Sequence, residues 1–305
     1  ERSSLKLIRQ SSLFCIFDNI SNLLLMIDQE LKKFIKESLE EDIKDGDHTT
    51  LACIDKNNLS TAKIVSKENG TIAGVKLAEI IFKEVDENLK ITSFYKDGDD
   101  INEKDVILKV SGSSHAILNA ERLVLNCMQQ MSAIATKTRK ISDLISSTNA
   151  KILDTRKTIP LNRHIQKLAV KIGGGYNHRF GLYDMIMIKD NHIDFCNGIT
   201  NAIKKTKTYL SNNNKDLDII VETRNISEVK EVLAEGGIRR VLLDNFSYKD
   251  TKEAVKIINH QYETESSGGI NEENILEYAK CGVDYISLGA LTHSIKNFDI
   301  SLLAE

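Results

Sequence analysis

The chain has 305 residues, a length that fits two domains of ordinary size or one large α/β barrel. Hydrophobic residues make up 41% of it and charged residues 28%, so it can bury a substantial core and does not belong to the disordered class. Its 41 Lys and Arg nearly balance its 44 Asp and Glu, and this balance excludes a surface built to coat a polyanion such as nucleic acid.

The five cysteines lie far apart in sequence, whereas a zinc ribbon or a thioredoxin-like motif needs a Cys-x-x-Cys pair. We therefore expect reduced thiols and a cytoplasmic protein. No apolar run approaches the roughly 18 residues of a membrane span. Leu5–Ile27 is apolar but carries Arg9 and Asp18, so we interpret residues 1–25 as an N-terminal extension outside the functional unit.

Residues 26–131 mix helical and strand patterns without regular alternation, which is typical of an α+β domain. Apolar residues at helical spacing predict a helix over Asp28–Leu39, and EDIKDGDHTT (41–50) then reads as a polar turn. Four short strands and a second helix are predicted next, the strands at 62–66, 70–75, 91–95 and 106–110, and the helix at 77–89.

A long helix is predicted over Ser113–Ser132. Its apolar face is marked by four residues, Ile117, Val124, Met128 and Met131. Another face carries a polar stripe, made by His115, Asn119, Arg122 and Asn126. On spacing alone, such a stripe is a solvated face more often than a functional one.

After residue 150 the sequence changes to short apolar runs, each ending in charged, polar or glycine residues. Helix-like segments fill most of the gaps, and this alternation is typical of βα units with a parallel sheet. The six runs are 151–157, 185–192, 217–224, 239–245, 261–269 and 283–290. Because a full barrel has eight strands, we predict an incomplete barrel of six or seven.

In a parallel βα barrel the carboxyl ends of the strands meet on one face, where the active site lies. In this chain several of those ends carry Arg or Lys, which bind carboxylate or phosphate oxygens, and glycine runs whose N–H groups can bind an anion. The candidate site residues are Thr155, Arg156, Lys157, His178, Arg179, Lys189, Glu222, Asp244, Ser267, Gly268, Gly269, Gly289 and Ala290. Together they predict a ligand with several negative charges.

Two of these candidates, Glu222 and Asp244, are acidic and end neighbouring runs. Carboxylates in such a place can hold hydroxyl groups, a magnesium ion or a developing cation. The alternative is that each is neutralised internally by an Arg or Lys. Both interpretations remain open on the residues alone.

The same residues carry a resemblance to a known family. The chain closely resembles the quinolinate phosphoribosyltransferases, a type II phosphoribosyltransferase family, and DTRKT together with GGGYNHR and IKDNH is the most specific part of the match. One departure is Leu161-Asn162 after Pro160, where many relatives have Gly-Leu before Arg. The matching segments are EDIKDGDHTT, NAERLVLNCMQQMSAIAT, ILDTRKTIP, KIGGGYNHRFGLYDMIMIKDNH, VETRN, VLLDN, ESSGGI and DYISLGAL.

The resemblance implies an α/β fold in which an N-terminal α+β open sandwich domain (26–131) is followed by an incomplete parallel α/β barrel (132–291). It also implies that the C-terminal tail (292–305) packs back on the first domain. The implied assembly is a homodimer, or a hexamer of such dimers, in which Arg122 enters the partner's site.

The implied activity is that of a Mg2+-dependent pentosyltransferase of NAD biosynthesis. It converts quinolinate and 5-phosphoribosyl 1-pyrophosphate to nicotinate mononucleotide, CO2 and pyrophosphate. The resemblance implies four catalytic residues, which are Lys157, Lys189, Glu222 and Asp244. The quinolinate pocket would contain Arg122, Arg156, His178, Arg179 and Lys189.

The remaining candidates fall on the phosphoribosyl side. Lys157 with Thr155 would face the phosphoribosyl group, and Ser267–Gly269 with Gly289–Ala290 would surround its 5-phosphate. Glu222 and Asp244 would hold the ribose hydroxyls and Mg2+.

Three alternatives stay open at this point. A phosphoribosyltransferase of the same architecture could act on nicotinate, although one carboxylate needs fewer cations. A Schiff-base aldolase could use Lys157 or Lys189, but such a lysine needs an apolar pocket rather than neighbouring cations. An inactive barrel could serve as a binding protein, which the intact set of acidic and basic candidates disfavours.

Overall fold

The structure is a computed structural model that describes residues 29–305, so the interpretation of residues 1–25 lies outside the described residues. An antiparallel sheet with helices forms the first part, and a parallel sheet flanked by helices forms the second. This arrangement confirms the predicted fold class, a sandwich-like α+β part followed by an incomplete α/β barrel. A buried apolar cluster extends through both parts, from Ile35 to Ile300.

The first part contains four helices and five strands in the described range. In chain order they are α1 (29–43), α2 (His48–Cys53), β1 (Leu59–Ser66), β2 (Gly70–Thr71), α3 (Val75–Val85), β3 (Lys90–Ser93), β4 (Asp100–Ile101), β5 (Val106–Ser113) and α4 (Ser114–Leu144). Strands β1, β5 and β3 pair antiparallel, and β2 pairs with β4 separately.

The segment 41–50 was wrongly predicted to be a turn throughout. Helix α1 continues to residue 43, and α2 begins at His48. The Asp47 side chain accepts a hydrogen bond from the Thr50 backbone N–H at 3.1 Å, so it caps the start of α2. The polar residues that suggested a turn therefore include a helix cap.

The long helix α4 extends twelve residues beyond its predicted end at Ser132 and contains 31 residues. Its N-cap is Ser113, whose hydroxyl accepts from the Ala116 N–H at 3.4 Å. Helix α4 packs on α3 in the first part and on α5 (Arg163–Ile172) in the second. Helix α4 therefore continues past residue 131, where the boundary between the two domains is predicted. That boundary stays a prediction.

All six predicted barrel strands are present. They are β6 (Lys151–Leu153), β7 (Ile186–Ile188), β8 (Ile219–Thr223), β9 (Arg240–Asp244), β10 (Glu263–Ser267) and β11 (Tyr285–Ser287). They form one parallel sheet in the order β6-β11-β10-β9-β8-β7, so β6 and β7 are its edges. Tyr176 bridges to Leu153 on the open edge of β6.

Helices connect these strands as the alternating pattern predicted. After α5 they are α6 (Asp190–Phe195), α7 (Ile199–Asn212), α8 (Ile226–Glu235), α9 (Tyr248–Ile258), α10 (Ile275–Ala279) and α11 (Ala290–His293). None of the described helices is long and apolar enough to cross a membrane.

The C-terminal tail returns to the first part of the molecule. Strand β12 (Ile300–Ala304) pairs antiparallel with β1, with Ile64 opposite Leu302, and so becomes the outer strand of that sheet. Phe298 and Ile300 are buried where the tail leaves the barrel. The first sheet is therefore completed by residues from the far end of the chain.

Candidate active site

The loop after β6 lies against the loop after β11. Lys157 donates its backbone N–H to Thr155 Oγ1 at 3.1 Å, and its carbonyl accepts from Thr292 Oγ1 at 2.7 Å. A Cβ placed on Gly289 would lie 2.8 Å from Lys157 Cδ, so the lysine stem packs directly on the glycine backbone. Lys157 and Gly289–Ala290 are therefore brought together.

A buried ion pair ties the loop after β6 to the segment that carries His178. Asp154 and Lys167 form this pair, and Asp154 also accepts from the His178 backbone N–H at 2.8 Å and from Asn177 Nδ2 at 2.6 Å. Lys167 Nζ donates to the His178 carbonyl at 3.1 Å. Burial raises the pKa of Asp154 and lowers the pKa of Lys167, and each partner's charge opposes that shift in the other.

Arg179 is buried beside Arg156. Its Nη1 donates to the Met185 carbonyl at 3.1 Å. Burial lowers the pKa of Arg179, and the charge of Arg156 lowers it further. Two guanidinium groups that repel each other form a site that an anion stabilises.

The His178 ring is 6% exposed, with both nitrogens turned toward protein groups. Nδ1 accepts from the Arg179 backbone N–H at 2.7 Å, and Nε2 lies 3.4 Å from Glu265 Oε2. The ring is therefore enclosed by protein groups and contacts the backbone of Arg179.

An acidic pair lies on the neighbouring strands. Glu222 is opposite Leu242 in the register of β8 and β9, and Asp244 is two residues further along, so both carboxylates are on the same face of the sheet. Lys189 Nζ lies 2.6 Å from Glu222 Oε2. Asp244 accepts from Ser267 Oγ at 2.8 Å.

The glycines after β10 adopt backbone conformations that favour glycine. Gly268 has φ +90° and Gly269 has φ +62°. A Cβ on Gly268 would lie 2.2 Å from Asn245 Oδ1. This turn therefore holds exposed backbone N–H groups close to the ends of β9 and β10.

Two further side chains lie near the carboxyl end of β11, and neither is among the site residues predicted from the sequence. Lys137 from α4 donates to the carbonyls of Ala290 at 2.7 Å and Ser294 at 3.2 Å. The His293 ring packs on Gly289, since a Cβ there would lie 2.9 Å from His293 Cδ2. Neither residue directly follows a predicted strand, so the pattern of polar strand ends did not indicate it.

Arg122 lies on helix α4. It is exposed on α4 and lines a cleft of about 1090 Å³ between α1, α4 and the loop that contains Pro160. In that loop Leu161 is 85% exposed and has φ +64°, a conformation that favours glycine. The loop therefore makes a left-handed turn at Leu161.

Comparisons with known proteins identify the family. The model of the quinolinate phosphoribosyl transferase N-terminal domain matches residues 47–132, and that of the C-terminal domain matches residues 134–303. The chain belongs to this phosphoribosyltransferase family. The predicted resemblance is thereby confirmed.

Similar proteins agree with this assignment. The chain is 46% identical over 288 residues to the Arabidopsis thaliana protein named nicotinate-nucleotide pyrophosphorylase (carboxylating), chloroplastic, covering 90% of this chain and 82% of that one. A Bacillus subtilis protein with the same name, qualified as probable, is 40% identical over 90% of this chain and 93% of its own. The nicotinate-nucleotide pyrophosphorylase structure from Francisella tularensis has a TM-score of 0.84, with 39% identity over 91% and 96% of the two chains.

Proposed function

We propose that this chain transfers a phosphoribosyl group from 5-phosphoribosyl 1-pyrophosphate to quinolinate with loss of CO2. The products are nicotinate mononucleotide and pyrophosphate, as NAD biosynthesis requires. Membership of the family supports the reaction class. The observation that carries the choice of substrate is the exposed Arg156 beside the buried Arg179, where the charge of Arg156 lowers the pKa of Arg179.

Quinolinate has two adjacent carboxylates, so its pocket needs more than one cation. Arg156 and Arg179 supply planar guanidinium groups suited to bidentate carboxylate binding, and Lys189 adds a compact charge. Because burial and the charge of Arg156 both disfavour the charged form of Arg179, an anion that binds to both guanidinium groups offsets that cost. Nicotinate, with one carboxylate, would leave part of this charge uncompensated.

The phosphoribosyl group would bind at the neighbouring strand ends. The glycine turn Ser267–Gly269 and the residues Gly289–Ala290 offer backbone N–H groups to its 5-phosphate. Lys157, packed on Gly289, adds a positive charge at the junction of these two turns. His293 lies on the same glycine and contributes a ring nitrogen to this edge.

Glu222 and Asp244 suit the ribose hydroxyls and a magnesium ion carried by the pyrophosphate. Among the described residues no group of three or more His, Cys, Asp or Glu side chains is arranged to hold a metal ion. Two carboxylates nevertheless fit Mg2+, which usually binds one or two of them together with water and substrate phosphates. When bound, the ion would neutralise the charge of the leaving pyrophosphate.

The chain's own residues would act mainly by position and charge. Glu222 and Asp244 place negative charge beside the ribose carbon that becomes cationic as pyrophosphate leaves. Arg156 and Arg179 hold the pyridine nitrogen toward that carbon. Once this nitrogen is alkylated, the positive charge of the pyridinium ring stabilises the electron pair that stays on the ring carbon when CO2 leaves. A proton from water then takes the place of CO2, so the decarboxylation needs no additional organic cofactor.

The functional unit in this proposal is a homodimer or a hexamer built from dimers. Arg122 is exposed at a cleft of about 1090 Å³, as a residue that serves a partner's site would be. We also propose a cytoplasmic location, which free Cys53, Cys127, Cys196 and Cys281 support. The name of the Arabidopsis relative contains the word chloroplastic, so fractionation of cells that contain this chain tests the compartment.

A paired substrate assay tests the proposal. The purified enzyme is given 5-phosphoribosyl 1-pyrophosphate and Mg2+ with either quinolinate or nicotinate, and nucleotide and CO2 are measured. We expect nicotinate mononucleotide and CO2 in equal amounts from quinolinate. Turnover of nicotinate without turnover of quinolinate would contradict the proposal, and the same reactions with EDTA measure the need for the ion.

A further inference from the structure

A group of charged side chains lies on strands β9 and β10 of the parallel sheet, next to His178. Glu265, in β10, is fully buried, and its Oε2 accepts from Arg240 Nη1 at 2.8 Å. The Arg240 guanidinium also binds Glu263 Oε2 at 2.7 Å and lies 3.8 Å from the centre of the Tyr285 ring. On its other side, Glu265 faces the His178 ring.

Two neighbouring side chains favour the charged form of Glu265. Burial would raise the pKa of its carboxyl, but the contacts with His178 and Arg240 outweigh burial, and the pKa lies below its usual value. A buried carboxylate is costly unless it is paired. In an interior otherwise rich in apolar residues, its position therefore needs a reason beyond stability.

The geometry at His178 gives that reason. The Arg179 backbone N–H donates to Nδ1 at 2.7 Å, so Nδ1 carries a lone pair and the ring proton is on Nε2. Nε2 is the atom that faces Glu265, at 3.4 Å. This contact is electrostatic rather than a hydrogen bond, and the negative charge of the carboxylate favours the tautomer and the ring orientation in which the Nε2 proton faces it.

The orientation of this ring also determines the backbone that carries Arg179. The ring nitrogen holds the Arg179 N–H, and the Arg179 side chain extends to the Met185 carbonyl from the same residue. Rotation of the His178 ring would break the hydrogen bond to the Arg179 backbone N–H. The Arg179 backbone could then shift, and the position of its guanidinium would change with it.

We propose that Glu265 is a positioning residue for the quinolinate pocket. Held by Arg240, it orients the His178 ring, and His178 in turn holds Arg179 in place beside Arg156. Glu265 is buried below the pocket and acts without touching the substrate. This inference rests on the proposed function, because the pocket it supports is the one assigned to quinolinate.

The first test compares two glutamates on one strand that share Arg240. Glu265→Gln keeps the size of the side chain and removes the charge that faces His178. We expect the KM for quinolinate to rise at least tenfold, while the KM for 5-phosphoribosyl 1-pyrophosphate changes less than twofold. Glu263→Gln is the matched control, since Glu263, the first residue of β10, binds the same guanidinium, and both KM values should stay within twofold.

A double-mutant cycle tests whether the effect passes through His178. In a His178→Gln background, adding Glu265→Gln should change the KM for quinolinate less than twofold. An undiminished effect in that background contradicts the proposal, as does an equal rise in both KM values. If Glu265→Gln does not fold, Arg240→Lys loosens the same carboxylate, and it should give the same selective rise in the KM for quinolinate.

A spectroscopic measurement separates this inference from the proposed function. Nitrogen chemical shifts of 15N-labelled histidine, assigned by comparison with His178→Gln, report the tautomer of His178 without any substrate. A neutral ring protonated at Nε2 in the wild type, altered in Glu265→Gln, supports the proposal. Protonation at Nδ1 overturns it even if quinolinate is turned over, whereas absence of quinolinate turnover by the wild type overturns only the proposed function.

Discussion

Gly268 is the position where a single methyl group should disturb the site most. Its φ of +90° disfavours any side chain, and a Cβ would lie 2.2 Å from Asn245 Oδ1 and 2.9 Å from the Asn245 backbone nitrogen. Gly268→Ala must therefore move the turn that offers N–H groups to the 5-phosphate. We expect the KM for 5-phosphoribosyl 1-pyrophosphate to rise roughly tenfold or more, the factor that about 1.4 kcal/mol represents.

Gly282→Ala is the control for that substitution. Gly282 also has φ +90°, but its nearest neighbour, Val255 Cγ1, would be 3.6 Å from the added Cβ. Both variants suffer the same backbone strain, and only Gly268→Ala suffers the collision. Steady-state kinetics and thermal unfolding of the pair separate the two effects, and equal KM values would contradict the assignment of this turn.

The residues that the sequence revealed are those at strand ends, because the alternation of strands and helices places them on one face. Asp154 and Lys167 escaped notice since their pairing brings together a loop and a helix, and no local pattern encodes that contact. Glu265 was hidden for a different reason. It lies in a strand whose letters, ETESS, look solvated, and only the structure shows that the strand is central and the carboxylate buried.

At the scale of elements, Lys137 connects α4 to the loop that begins at Gly289. Its ammonium donates to the carbonyls of Ala290 and Ser294, at the two ends of α11. Lys137→Met keeps the stem and removes both hydrogen bonds. We expect a three- to tenfold rise in the KM for 5-phosphoribosyl 1-pyrophosphate, which corresponds to about 0.7–1.4 kcal/mol, the usual net contribution of one hydrogen bond.

Lys140→Met, one helical turn further along α4, is the matched control. Lys140 pairs with Glu272 at 2.6 Å on the surface, where such pairs contribute little. The KM values of Lys140→Met, measured in the same assay, should stay within about twofold of wild type. Similar effects of both variants would mean that overall charge near the site matters rather than the position of α11.

Helix α1 is attached to α5 by a contact that depends on pH. Phe34 meets the His164 ring edge-on, with centroids 5.6 Å apart, and burial lowers the pKa of His164 below its ordinary 6.5. The folded protein therefore binds this proton less tightly than the unfolded chain does. This contribution to the free energy of unfolding is present above pH 6.5 and is lost as the pH falls below it.

Denaturant unfolding from pH 7.5 to 5 checks this dependence. The stability of the wild type should fall more steeply below pH 6.5 than that of His164→Asn, and the difference between the two curves isolates the single histidine. Parallel curves over this range would contradict the assignment.

The elements themselves were predicted best where their pattern is periodic. The six barrel strands follow from repeated apolar runs, and all six formed. Helix α4 was cut short at Ser132 because ATKTRK has no apolar stripe, yet its Thr138 is buried against Gly173 and Gly175 of the second part. Its continuation is a tertiary effect that local periodicity does not contain.

At the scale of the whole molecule, the two parts of the chain are interlocked. Strand β12 comes from the far end of the sequence and completes the first sheet beside β1, while α4 packs on both parts. The exposed Arg122 lies on this shared helix. A fixed helix of this kind can present a side chain to a second subunit with a defined direction.

If Arg122 completes a partner's site, two inactive variants should restore each other. Arg122→Ala keeps Lys157, and Lys157→Ala keeps Arg122, so a mixed dimer contains one intact site and one doubly defective site. Random mixing in equal amounts should restore about a quarter of the wild-type activity per subunit, because half of the dimers are mixed. Co-expression with two affinity tags, followed by assay of the doubly tagged fraction, measures this directly.

Lys157→Ala mixed with Lys189→Ala is the control, since both lysines lie at strand ends of the same chain and no mixed dimer gains an intact site. Activity equal to the sum of the separate variants would show that Arg122 serves its own chain.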